Sequence, residues 1–145
     1  MIIRVTRDEI LPLRHTVLRP HLPVETAMYP EDDTPGIFHL AESEPDGIIS
    51  CVTFFPEARP DLPNGEQAWR FRGMATRPER RNAGLGGKLL EYGVDEVARQ
   101  GASLVWCNGR VEAEAFYRRH GFVTVGEQFV LAPHNMVHYL FLRTL

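Results

Sequence analysis

Lysine is nearly missing from this chain: of its sixteen basic side chains fifteen are arginine, and Lys88 is the sole exception. Cysteine is scarce too. Cys51 and Cys107 are the only two, and no ligand spacing around them fits a zinc site. Both sit in apolar runs, ISCVTFF and LVWCNG, which points to buried, reduced thiols, and no bound metal is expected. No apolar run approaches the ~18 residues needed to span a bilayer, so no membrane contact is expected. The opening MIIRVTRDEI lacks the apolar stretch and small-residue cleavage site of a secretory signal, which makes a cytoplasmic location the expectation. Excess positive charge is missing as well: the formal net charge of −3 gives no footprint for nucleic acid. What is present is 145 residues, 43% hydrophobic and 24% charged. That is ordinary globular composition and the length of one domain, residues 1–145.

Charge is uneven along the chain. Residues 1–66 carry twelve acidic and five basic side chains, whereas residues 67–145 carry seven acidic and eleven basic. Arg70, Arg72, Arg77, Arg80, Arg81 and Lys88 fall within nineteen residues. Such a run is either a solvated surface or an anion site, since arginine offers forked donors to phosphate oxygens.

Hydrophobic patterning gives the order β-α-β-β-β-α-β-α-β-β. Ile2 to Val5 reads as a strand, and Thr6 caps a helix with acidic Asp8 and Glu9 in its first turn. Arg19 to Pro35, rich in proline and acidic residues, reads as a long surface loop of the kind that often binds ligands. Ile37–Ala41 and Ile48–Phe55 form a hairpin about the turn Glu44-Pro45-Asp46-Gly47. A strand follows near Trp69–Thr76. Leu85, Leu89, Leu90, Val94, Val97 and Ala98 then repeat at helical spacing, with Gly101 as the stop. Ala102–Cys107 is a short buried strand, Glu112–His120 a second helix pattern ended by Gly121, and Phe122–Leu131 and Met136–Leu142 the final strands. Strands outnumber helices, so the sheet is expected to be mixed.

The sharpest signal is Arg77-Pro78-Glu79-Arg80-Arg81-Asn82-Ala83-Gly84-Leu85-Gly86-Gly87-Lys88, between a strand and a helix. A glycine-rich turn at a helix N-terminus aims free amides at one point and adds the positive end of the helix dipole. A P-loop would need Ser or Thr after Gly87-Lys88 and Gly at position 82, but the residues are Leu89 and Asn82. A dinucleotide fingerprint would need glycine at 89 and fails too.

Arg81-Asn82-Ala83-Gly84-Leu85-Gly86 resembles the Arg/Gln-x-x-Gly-x-Gly/Ala motif of the GNAT superfamily of N-acetyltransferases. One strand later, Ala113-x-x-Phe116-Tyr117-x-x-x-Gly121-Phe122 resembles that family's downstream signature. The likeness is close over residues 69–125. It implies an α+β fold with a central mixed sheet of six to seven strands flanked by three to four helices, and it implies acetyl-CoA as co-substrate. By the same resemblance Met74, Ala75 and Thr76 would pair with the pantetheine arm. The amides from Arg81 to Gly86, through Asn82, Ala83, Gly84 and Leu85 and extending to Gly87 and Lys88, would hold the pyrophosphate. Asn108 would lie near the pantetheine or acetyl end, where the strands splay.

Tyr117 matches the tyrosine that often acts as the family's general acid. An amine attacking a thioester must expel a thiolate whose conjugate acid has a pKa of about 8.5, and a phenol with pKa near 10 can hydrogen-bond to or protonate it. Two positions depart from the family pattern. Arg110 stands where many members carry Asn, and the strand Trp69-Arg70-Phe71-Arg72 offers no carboxylate base. Glu66, His39, His134 and His138 are alternative bases. Arg70 and Arg72 share strand parity and so one face; there they either attract an acidic acceptor or pair with the acidic N-terminal half. The acceptor pocket is expected between the Arg19–Pro35 loop and the final hairpin. The implied activity is transfer of acetyl to a primary amine of a small molecule or of a protein N-terminus, with a homodimer left open. The alternatives are a non-catalytic acyl-CoA-binding module and, less well matched, a nucleotide-binding regulator.

Overall fold

The computed structural model describes all 145 residues, Met1 to Leu145. Seven strands and three α-helices follow the expected order: β1 (Ile2–Val5), α1 (Arg7–Leu18), β2 (Phe38–Glu44), β3 (Gly47–Pro56), β4 (Ala68–Thr76), α2 (Leu85–Arg99), β5 (Leu104–Arg110), α3 (Glu114–Arg119), β6 (Val123–Leu131) and β7 (Met136–Thr144). They form one mixed sheet ordered β1-β2-β3-β4-β5-β7-β6, an α+β architecture. Only β4 and β5 run parallel, paired over just Ala68–Arg70 and Leu104–Trp106. Beyond Arg70 the two strands diverge and open a cleft through the sheet.

Local chemistry accounts for the helices. Thr6 and Glu9 form a reciprocal capping box at the start of α1: the Thr6 hydroxyl accepts from the Glu9 amide, and the Glu9 carboxylate accepts from the Thr6 amide. The α2 sequence places Leu85, Leu89, Leu90, Val94 and Val97 on one buried face. The expected helix over Glu112–His120 is shorter than its pattern, because Val111–Ala113 winds as a 3-10 turn before α3 begins. The expected loop from Arg19 to Pro35 holds two 3-10 turns, Val24–Ala27 and Pro30–Asp33.

Apolar layers lie on both sides of the sheet. Phe38, Leu40, Val52, Phe54, Phe71, Val105, Phe122 and Phe141 pack with the α2 leucines and valines. On the opposite face Ile10 and Leu13 of α1 cover Ala41, Cys51 and Ala75. β3 supplies both layers through strand alternation, Val52 to one and Cys51 to the other. β4 carries a bulge. Thr53 pairs with Arg72 and Cys51 with Ala75, so three β4 residues span what two β3 residues span. Gly73, at φ +68°, takes up the irregularity. The extra residue flips the parity downstream: Met74 packs with the α2 layer, and Ala75 turns under α1.

Candidate active site

Two cavities meet at the cleft between β4 and β5. The first, about 630 Å³, lies on the α1 face and is walled by the end of α1, the following loop, β4, β5 and the β6–β7 hairpin. The second, about 870 Å³, lies at the N-terminus of α2. Met74 and Tyr117 line both.

The glycine loop builds the second cavity. Met74, Thr76, Arg81, Asn82, Gly84, Leu85, Gly86, Gly87 and Lys88 all line it, so nine of the eleven residues expected from Met74 through Lys88 come together there. The amides of Asn82 through Gly87 donate to no group in the protein; the first that does is Lys88, to the Gly84 carbonyl at 3.1 Å. Gly84 caps α2 at φ +79° in open space, a conformation that disfavours any side chain. Six free amides on a helix end form an anion site. Ala83 belongs to this loop without lining the cavity, and the Ala75 side chain is buried on the opposite face under α1. Asn108 lines the first cavity and not the second. Arg80 of the basic run and Ala113 and Phe116 of the downstream signature also line the second cavity, as do Glu91, Arg119 and His120, which were not singled out from sequence. The helical spacing of Ala113, Phe116, Tyr117 and His120 was the available signal.

Tyr117 packs its ring against Phe71, Phe116, Phe122 and Phe141, with the Phe141 centroid 4.5 Å away. A β-carbon at position 109 would lie 2.5 Å from that ring, so glycine there makes room for it. Burial, and next to it the Cys107 thiol, raise the Tyr117 phenol well above its ordinary value, so it stays protonated at neutral pH and acts as a donor. Cys107 lines the first cavity, but burial drives its thiol far up as well, which leaves it inert as a nucleophile. Cys51 is pushed up to about 12 by the same cause. Both thiols are free and buried, as their apolar surroundings suggest.

Of the four bases offered by the sequence, His134 and His138 reach the first cavity. His134 donates from Nε2 to the Leu18 carbonyl at 3.0 Å, and His138 donates from Nδ1 to the Met136 carbonyl at 2.7 Å. Each ring is left with one nitrogen able to accept a proton. Glu66 is exposed on a 3-10 turn away from both cavities. His39 is buried in a polar network beneath the loop. There Arg14, fully buried, forms a bidentate pair with Asp32 at 2.8 and 3.0 Å and donates to the Thr53 hydroxyl at 2.6 Å. Thr53 in turn lies 2.7 Å from His39 Nδ1. Burial, reinforced by the Arg14 charge, lowers His39 to about 4 and keeps it neutral. Burial alone would raise Asp32, but the Arg14 bonds and charge, with the Tyr29 amide, hold its carboxyl below the ordinary range.

Arg70 and Arg72 face the first cavity together, as their parity requires. Both also reach Glu31 on the loop, Arg72 at 2.8 Å and Arg70 at 3.5 Å, which is the expected pairing with the acidic N-terminal half.

Comparison with known proteins places this geometry. Residues 34–124 match the family model described as an acetyltransferase (GNAT) domain. An uncharacterized N-acetyltransferase, YitI, of Bacillus subtilis (strain 168) is 33% identical over 142 residues, covering 97% of this chain and 95% of that one. Among solved structures, an acyl-CoA N-acyltransferase from Pseudomonas aeruginosa superposes with a TM-score of 0.75 at 18% identity, covering 99% of both chains. An aminoglycoside 6'-N-acetyltransferase complexed with coenzyme A gives 0.71 at 16% identity, covering 99% of this chain and 96% of that one. At these identities the structural likeness is one of fold.

Proposed function

The chain belongs to the GNAT superfamily and is an acetyl-CoA-dependent N-acetyltransferase, and we propose that its acceptor is a primary amine of a small molecule or a protein N-terminus that attacks the thioester directly. The observation that carries this reading is the shared wall: Tyr117 lines both the cavity beside the glycine loop and the cavity on the α1 face.

Acetyl-CoA supplies an acetyl group already activated as a thioester. The residues present fit it. Six unpartnered amides surround the second cavity with Arg81, Lys88 and Arg119 and suit its phosphate charges, while Arg80 lines it with its guanidinium held by Glu44 at 2.7 and 2.8 Å. Thr76 and Met74 form the strand wall along which its pantetheine arm would extend, with the Ala75 backbone between them. Tyr117 holds a proton at Oη for the leaving thiolate, and its raised pKa ensures that the proton is there. His138, half-buried with Nε2 free, accepts the proton of the attacking amine, and Asn108 orients that amine from the end of β5. Cys107 takes no covalent part, because its thiol stays protonated. Holding amine and thioester in two adjoining cavities supplies much of the barrier reduction through proximity.

The test is free-thiol release with a panel of amines, alongside titration with acetyl-CoA and with ATP. Tyr117→Phe should lower kcat about a hundredfold while acetyl-CoA affinity stays within about threefold. Unchanged turnover would remove Tyr117 from the mechanism. Saturable acetyl-CoA binding with no thiol release from any amine would refute the reading.

A further inference from the structure

The first cavity contains no carboxylate. Its wall carries four guanidinium groups, from Arg19, Arg70, Arg72 and Arg110, and neither Asp nor Glu is among its lining residues. The carboxylates that partner these arginines are not part of that lining, and only the Arg72–Glu31 contact is short, at 2.8 Å. Glu31 is shared between Arg72 and Arg70, and the Arg70 contacts are long, 3.5 Å to Glu31 and 3.3 Å to Glu57. Arg70 Nε and Glu31 Oε2 are each buried with no hydrogen-bond partner. The Arg19 guanidinium donates to the Thr26 carbonyl and lies 5.4 Å from the centroid of the Tyr29 ring. Arg110 touches only the exposed Glu112, at 3.5 Å. The same cavity also carries apolar lining, from Val17 and Leu18 of α1 and from Leu131, Pro133 and Met136 of the final hairpin.

From this arrangement we infer that the acceptor is a small primary amine carrying a carboxylate, which the arginines of β4, β5 and the α1 loop bind, with its apolar portion against the aliphatic lining of the same cavity. The inference rests on the acetyl-transfer reading above and narrows it. A guanidinium fork matches a carboxylate in shape and charge, and a buried donor without an acceptor is costly until a ligand supplies one. The same four cations repel a second positive charge, so polyamines and other polycationic acceptors are excluded. They also favour the neutral form of the bound amine, the form that attacks. A carboxylate base on β4 is therefore unnecessary, and Trp69-Arg70-Phe71-Arg72 lacks one.

The experiment compares L-leucine, L-phenylalanine and L-glutamate with their α-amides, and with spermidine and phosphoethanolamine, by thiol release from acetyl-CoA. Amidation removes one charge and leaves the amine more nucleophilic at neutral pH, so intrinsic chemistry favours the amides. The expected order is the reverse: kcat/KM about tenfold or more higher for at least one acid than for its amide, with spermidine slowest. Arg72→Met should narrow that ratio to below about threefold, and Arg110→Met, at a side chain that is 54% exposed, should narrow it too. Amides, spermidine or phosphoethanolamine outrunning every acid would overturn the inference while leaving acetyl transfer intact. If no amine releases thiol, the acetyl-transfer reading fails separately, and calorimetry on the coenzyme A-loaded protein still decides this one. N-acetyl-L-leucine binding more tightly than N-acetyl-L-leucinamide upholds it; equal binding, or none for either, overturns it.

Discussion

Acidification from neutral pH should destabilise this protein first through His39. His39 is only 7% exposed, and its Nδ1 takes a hydrogen bond from Thr53, whose hydroxyl already accepts from Arg14. Protonation would place a second donor and a second positive charge beside Arg14. The folded pKa is accordingly about 4 against an ordinary 6.5. The unfolded chain therefore binds the extra proton first, and the stabilisation is fully present above pH 6.5 and is lost as the pH falls toward 4. Linkage gives a loss of about 1.4 kcal/mol at pH 5.5 and about 3 kcal/mol at pH 4. For a chain of this size that is a fall in Tm of about 6–12 °C. Asp32 does not offset it, because its lowered pKa confines its own loss to still lower pH. The assay is urea denaturation followed by circular dichroism at pH 7, 5.5 and 4, on the wild type and on His39→Gln, which should lose the steep part of the dependence. Stability that is flat across this range would refute the argument. Stability that rises on acidification would show instead that His39 pairs as a cation with Asp32.

Two further outcomes follow from the same structure. Gly84→Val, which forces a β-branched side chain into a left-handed cap above the free amides, should weaken coenzyme A binding at least about tenfold in calorimetry; retained affinity would show that the loop is not the phosphate site. Arg14→Leu leaves the Asp32 carboxylate buried without its cation and should destabilise the fold by about 3–5 kcal/mol in urea denaturation. A loss below about 1 kcal/mol would mean that the loop tolerates release of its anchor.

Much of this was readable from the chain because it depends on near neighbours. The Thr6–Glu9 cap, the α2 stripe, the glycine loop and the shared face of Arg70 and Arg72 each follow from residues a few positions apart. What could not be read depends on distant partners. Arg14 looks like a surface position on an amphipathic helix, yet it is fully buried because Asp32, eighteen residues on, returns to meet it. The 3-10 turns that bring Asp32 back carry no strong local signature. Period-2 alternation along β4 holds only as far as Arg72, because one inserted residue at Gly73–Met74 reverses every side chain after it. That reversal puts the Ala75 side chain under α1, where a strand pattern alone would not put it. Asn108 lines the first cavity and not the second for a related reason: β5 has already parted from β4 two residues earlier.

The parting of β4 and β5 turns a sheet, ordinarily a barrier, into a wall with a doorway. On the assignment proposed here each reactant has its own approach, one from the α1 side and one from the α2 side, and they touch only at the threshold marked by Tyr117. Neither has to vacate a shared passage before the other arrives. Initial-velocity plots should therefore intersect, as for a ternary complex, instead of running parallel as they would for an enzyme that carries the acyl group on itself between visits.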